Sequence, residues 1–192
     1  MHTHRLTRGI LTVIILAGLA VGPVACGAAG SGPGVASHPA DTPRPPPAPS
    51  LTGQDIGQAE KATRAVLDRL LAETGTSFNG WVILNDLGAA HPTSKQNDLV
   101  GRIAGGLKID EQPVRDALAE LARQDLIKPA PAAAANPEVT ITPAGATRFH
   151  QLQEAIKQIT QRLYGNLPAE DLATAHRVLT TVTERANAEL TR

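Results

Sequence analysis

The sequence predicts a mainly α-helical domain carrying one small pair of strands, and three observations predict it. Apolar residues recur at spacings of three and four through most of residues 51–192. Two short runs break that rhythm, LIKPA (126–130) and EVTIT (138–142), and they flank the Pro- and Ala-rich stretch PAAAANP (131–137). Gly, Asn and Pro punctuate the periodic segments, leaving helices of ordinary length between them.

The elements follow in order. In DIGQAEKATRAVLDRLLAET (55–74), Ile56, Ala59, Ala62, Val66, Leu67, Leu70 and Leu71 share one face, which predicts a long first helix with a buried stripe. A shorter helix is expected around WVILNDLGA (81–89). Thr93 and Ser94 are suited to cap a third, running SKQNDLVGRIAGGL, with Gly105 and Gly106 ending it. Asp110 is placed to cap a fourth, with Pro113 in its first turn and Val114, Leu118 and Leu121 turned inward. Two strands then enclose a loop or wing. Phe149, Leu152, Ile156, Ile159 and Leu163 define a fifth helix, and Leu172, Ala175, Leu179, Val182 and Ala186 a sixth. Joined at Gly165-Asn166-Leu167-Pro168, these two read as an antiparallel hairpin. The first and last helices show more apolar face than one small domain can cover, so a homodimer is expected. The whole is a winged helix-turn-helix with a two-strand wing and long N- and C-terminal dimerisation helices.

The first 50 residues have another character. Arg5 and Arg8 precede an uncharged run of 17 residues, Gly9 to Ala25, which ends at Cys26. That is the layout of a secretory signal, and the run is short for a bilayer span of roughly 20 apolar residues. Val24-Ala25-Cys26 resembles a bacterial lipobox, which marks Cys26 for lipidation, although Pro23 departs from that pattern. Because the basic residues come first, a domain behind this leader faces outward whether or not cleavage occurs, which rules out a membrane-tethered regulator. Residues 27–50 are rich in Gly, Ala, Ser and Pro, with little to bury, and read as a disordered tether. Cys26 is the single cysteine, so no disulfide can form within the chain.

Residues 51–192 make one domain. With 15 basic and 17 acidic residues it is near neutral and lacks the basic excess common in nucleic-acid binders. Enzyme signatures are missing: His91, His150 and His176 lack HxxxH or HExxH spacing, and GRIAGG (101–106) has neither the GxGxxG order nor a Walker lysine. No cofactor or metal is expected. Trp81, Phe78, Phe149 and Tyr164 are expected in the core.

QNDLVGRIAGGLKIDEQPVRDALAELARQDLI (96–127) and VTITPAG (139–145) resemble the MarR family of bacterial transcription regulators. The resemblance covers essentially all of 51–192 and implies a dimeric double-stranded-DNA binder, with one recognition helix per subunit in the major groove and a wing in the minor groove. It also implies a pocket for a small aromatic effector between the dimer helices and the winged helix. The recognition helix corresponds to Glu111–Gln124. Gln112 and Arg115 suit base edges or phosphates. Thr93, Ser94, Lys95 and Gln96 suit a phosphate at a helix start, and Arg123 and Lys128 complete the candidate DNA contacts. Three features depart from the family. The wing has no base between Lys128 and Arg148, with Ala133 and Ala135 near the places where Asp and Arg are usual. Asp116 stands where a base is frequent, beside Asp110 and Glu111. Asp125 replaces the usual glycine after the recognition helix.

Two functions are therefore expected as alternatives. One is a MarR-like regulator in the cytoplasm, made from a start near Val35 or Leu51, since Met1 is the chain's one methionine and bacteria also start at Val or Leu codons. The other is an exported, lipid-anchored winged-helix protein whose partner is a protein or small molecule and not DNA.

Overall fold

A computed structural model describes residues 50–130 and 136–192. The leader, Cys26, the tether up to residue 49 and the wing tip at 131–135, with Ala133 and Ala135, lie outside the described residues.

α1 (Gly53–Ala72) starts at a reciprocal cap. The Thr52 hydroxyl accepts from the Asp55 N–H at 3.3 Å, and the Asp55 carboxylate accepts from the Thr52 N–H at 2.8 Å. The Thr52 hydroxyl and amide hold the Asp55 carboxyl below its ordinary pKa, so this cap weakens only in acid. α2 (Phe78–Ala89) buries Trp81, Ile83, Leu84 and Leu87 on several faces at once, because it runs through the middle of the domain. α3 (Gln96–Leu107) buries Leu99, Val100, Ile103 and Ala104. α4 (Glu111–Arg123) buries Val114, Ala117, Leu118 and Leu121, a stripe at helical spacing. Apart from Trp81, these side chains, with Leu126, Ile127 and Val139, form the main core.

The sheet has three strands where the sequence predicts two. β1 (Thr93–Lys95), β2 (Ile127–Pro129) and β3 (Glu138–Ile141) are antiparallel in the order β1-β3-β2. Thr93 pairs with Thr140, Ser94 with Val139 and Lys95 with Glu138, while Ile127 pairs with Ile141. Thr93 and Ser94 therefore belong to a strand and do not cap α3. A three-residue polar segment carries no alternation to mark it as a strand; pairing with β3 makes it one.

Other expected helix ends also move. Lys95 is the N-cap residue of α3 and makes no side-chain cap. Gly105 and Gly106 are inside α3, whose exit is Lys108 at φ 58°. The Ile109 N–H reaches back to the Ala104 carbonyl at 3.1 Å, so the backbone closes this end without glycine. Asp110 holds the N-cap position of α4, but its carboxylate makes no capping bond. Pro113, third in the helix, has no N–H to donate to it. At the other end of α4, Asp125 is left-handed at φ 55°, where the family resemblance marks glycine as usual. The Leu126 N–H bonds to the Leu121 carbonyl and the Asp125 N–H to that of Ala122.

α5 (Pro143–Tyr164) grows from β3 through the ITPAG motif. The Thr142 hydroxyl accepts from the Gly145 N–H at 3.0 Å and donates to the Asp125 carbonyl at 2.7 Å. A Cβ on Gly145 would lie 1.9 Å from the Leu126 carbonyl oxygen, so only glycine fits. Further along, Phe149 stacks on Trp81 with centroids 6.0 Å apart, and Leu71 and Leu152 complete a second core. Gly88 makes room for this, since a Cβ there would lie 2.6 Å from the Phe149 ring.

Burial then fades. Ile156 and Ile159 are half-buried, Leu163 is exposed, and α6 (Ala169–Glu189) buries no residue. α6 is only lightly covered among the described residues, with Leu172 and Leu179 half-buried. The α1 stripe is likewise buried within the chain only at Leu71, with Ala59, Ala62 and Val66 exposed.

Gly145→Ala is expected to cost about 2–4 kcal/mol in urea unfolding, because a methyl group must displace backbone. Gly101→Ala, where a Cβ meets nothing within 4 Å, is expected to stabilise by up to about 1 kcal/mol.

Candidate nucleic-acid interface

α3 and α4 form the helix-turn-helix. The buried stripe of α4 faces α2 and α3, which turns Gln112, Asp116 and Ala119 to solvent and leaves Arg115 half-buried. Asn79 reaches from α2 to the Pro113 carbonyl at 3.5 Å. β2 and β3 rise beside these helices as the wing.

α3 is anchored by an ion pair that charge counting does not reveal. The Arg102 guanidinium donates to both carboxylate oxygens of Asp86 on α2, at 3.3 and 2.6 Å, and to the Ser94 hydroxyl at 3.4 Å. The Asp86 side chain is 9% exposed and that of Arg102 22%, so the pair is largely out of water. Its two-pronged geometry fixes both distance and plane. His91 Nδ1 stands 3.6 Å from the same carboxylate. Three elements, α2, α3 and β1, thus meet on one side-chain group.

The candidate DNA contacts fall into four places. Thr93, Ser94, Lys95 and Gln96 lie on β1 and at the start of α3, while Gln112 and Arg115 lie on the first turns of α4. Arg115 Nη1 donates to Asn97 at 3.3 Å, which brings the second group against the first. Lys128 lies on β2 opposite Thr140, which faces Thr93 on the other side of β3. Arg123 lies two turns beyond Arg115, about 12 Å along the helix axis, and the structure does not bring it to the others.

Most of these groups already have partners. Arg115 donates to Glu111 at 2.7 Å, Gln112 to Asp116 at 2.8 Å, and Lys95 stands 3.1 Å from Glu138. Arg123 pairs with Glu120. Thr93 shares a hydrogen bond with Thr140 at 3.1 Å, and Ser94 accepts from Arg102. At the start of α3, where a phosphate is expected, two amides already have partners: the Gln96 N–H donates to the Pro137 carbonyl and the Asn97 N–H to the Asn136 side chain, both at 2.9 Å. The root of the wing fills this helix start. Asn97 and Asn136 were not singled out by sequence reasoning; they lie 39 residues apart and only the fold joins them.

Helix-turn-helix, a three-stranded sheet with a two-strand wing, and long outer helices define a winged helix-turn-helix protein. The fold is MarR-like. A Staphylococcus aureus MepR–DNA complex matches at 19% identity and TM-score 0.61, over 71% of this chain and 99% of that one. S. aureus MarR in complex with salicylate and kanamycin matches at 16% and 0.62, over 71% and 90%. A MarR family regulator from Silicibacter pomeroyi matches at 17% and 0.59, with the same coverage as S. aureus MarR. No family model matches the sequence, and no curated protein does.

Asp86→Ala is expected to lower stability by about 3 kcal/mol in chemical denaturation, because it leaves the Arg102 guanidinium largely buried without its counter-charge.

Proposed function

We propose that the chain is a homodimeric, DNA-binding transcription regulator of the MarR type. The observation that carries the reading is the pose of α4. Its apolar stripe is locked into the core while Gln112 and Arg115 stand on its outer side, with Lys95 and Lys128 on the adjoining strands. A helix so held can enter a major groove while the strands beside it meet the backbone. The S. aureus MepR structure bound to DNA supports this reading.

The uncovered apolar faces support the dimer. Val178 and Val182 on α6, Leu163 on α5 and Val66 on α1 are exposed, and a 21-residue helix with no buried residue has little tertiary support of its own. Pairing two copies through these helices covers them and sets two α4 helices toward one duplex. A small aromatic effector belongs to the same reading, and salicylate, present in the S. aureus MarR complex, is the first to try.

DNA contact here requires phosphates to displace existing partners of Lys95 and Arg123. Weak, steeply salt-dependent binding is the expected result. A titration of the protein against random and genomic duplexes at 50 to 200 mM salt checks this, and a Kd above about 10⁻⁴ M throughout, weaker than ordinary non-specific binding, sinks the regulator reading. Val182→Glu is expected to halve the mass measured by light scattering and to weaken duplex binding together with it, since one α4 helix then acts alone. A monomeric mass for the unaltered protein at micromolar concentration refutes the dimer.

A further inference from the structure

Arg115 is the one cation in the first two turns of α4, and two helices hold its guanidinium at once. Nη2 donates to Glu111 Oε2 at 2.7 Å, one turn back on α4. Nη1 donates to Asn97 Oδ1 at 3.3 Å, in the first turn of α3. Asn97 is fixed in turn, since its N–H donates to Asn136 Oδ1 at 2.9 Å. The adjoining Gln96 N–H donates to the Pro137 carbonyl at 2.9 Å. Asn136 and Pro137 form the root of the wing. A line of hydrogen bonds therefore runs from the wing through α3 to the tip of the recognition-helix arginine.

The chemistry of the links decides what they do. Glu111 alone could be a counter-charge that a phosphate displaces. Asn97 is neutral, so its bond neutralises nothing; its effect is to choose one orientation of the guanidinium. A guanidinium has five N–H donors, and these two bonds engage two of them. Three N–H donors remain to meet acceptors such as O6 and N7 of guanine, whereas adenine offers a donor in place of O6. A long side chain fixed before contact also loses less rotamer freedom on binding.

We propose that Arg115 reads a guanine edge in duplex DNA, and that Asn97, held by Asn136, is the positioning residue that presets it. This rests on the DNA-binding reading above and adds its specificity determinant. The wing root acts through α3 on the base-reading side chain and contributes selectivity without touching a base.

The test uses the full chain. A random duplex pool is enriched on the unaltered protein. Affinities are then measured for the enriched duplex and for copies with each G·C pair changed to A·T, using the unaltered protein, Asn97→Ala and Asn97→Asp. The unaltered protein is expected to lose about 10-fold or more at one G·C pair per half-site. Asn97→Ala is expected to shrink that loss to about 3-fold or less. Its affinity for the unselected pool and its salt slope stay unchanged, because no phosphate contact is removed. Asn97→Asp, which keeps an acceptor oxygen beside Arg115, is expected to retain most of the discrimination. The proposal is overturned if Asn97→Ala keeps the full G·C preference, if it weakens all duplexes alike, or if the unaltered protein binds duplexes with no G·C preference. No binding to any duplex at 50 mM salt instead overturns the DNA reading itself, and this proposal with it.

Discussion

The contact between Gly145 and the Leu126 carbonyl sets the direction in which α5 leaves the sheet, and both halves of the molecule depend on it. On one side, Leu126 follows the left-handed Asp125 that closes α4. On the other, Gly145 sits in the first turn of α5, capped by the same Thr142 hydroxyl that bonds to the Asp125 carbonyl. The end of α4 and the start of the long outer helix are thus tied through one carbonyl and one hydroxyl. A side chain at position 145 would swing α5 away from Trp81 and open the second core. Because interiors are close-packed, such a shift cannot be absorbed locally. The geometry between α4 and the outer helices follows from this joint.

Charge has two separate uses in the domain. Asp86 and Arg102 are largely buried and two-pronged, and they hold the helix-turn-helix on α2. The pairs on the outer face, Lys95 with Glu138, Arg115 with Glu111 and Arg123 with Glu120, are exposed or half-exposed. Pairs of that kind contribute about 0–1 kcal/mol each, so a polyanion can displace them where it could not displace Asp86. For a near-neutral domain with such a face, local exchange of partners would outweigh a long-range field in any contact with an anion.

Much of this was legible in the chain, and the misses share one cause. Four of the six helices, α1, α4, α5 and α6, follow from apolar spacing, and the α4 stripe at Val114, Leu118 and Leu121 is buried as that spacing predicts. VTITPAG was legible through its family resemblance, though not the reason for its glycine. β1 was missed because Thr93–Lys95 has no pattern of its own and exists by pairing with Glu138–Thr140. The cap of α3 was misassigned for the same reason: its real partners, Asn136 and Pro137, come from the far side of the wing. The candidate contacts at Gln112 and Arg115 were found on α4, but their partners, and the separation of Arg123 from the rest, were not readable from spacing alone.

The sequence by itself determined the helices, the breaks between them and the apolar faces, because hydrophobic periodicity and Pro or Gly punctuation act over a few residues. It also determined the near-neutral charge that shapes any account of binding. Tertiary structure alone decided which amides are engaged at the start of α3, that α6 is left without a buried residue, and that Arg115 is gripped from two helices. Those outcomes depend on groups far apart in the chain meeting within hydrogen-bond distance, and no local pattern encodes such a distance.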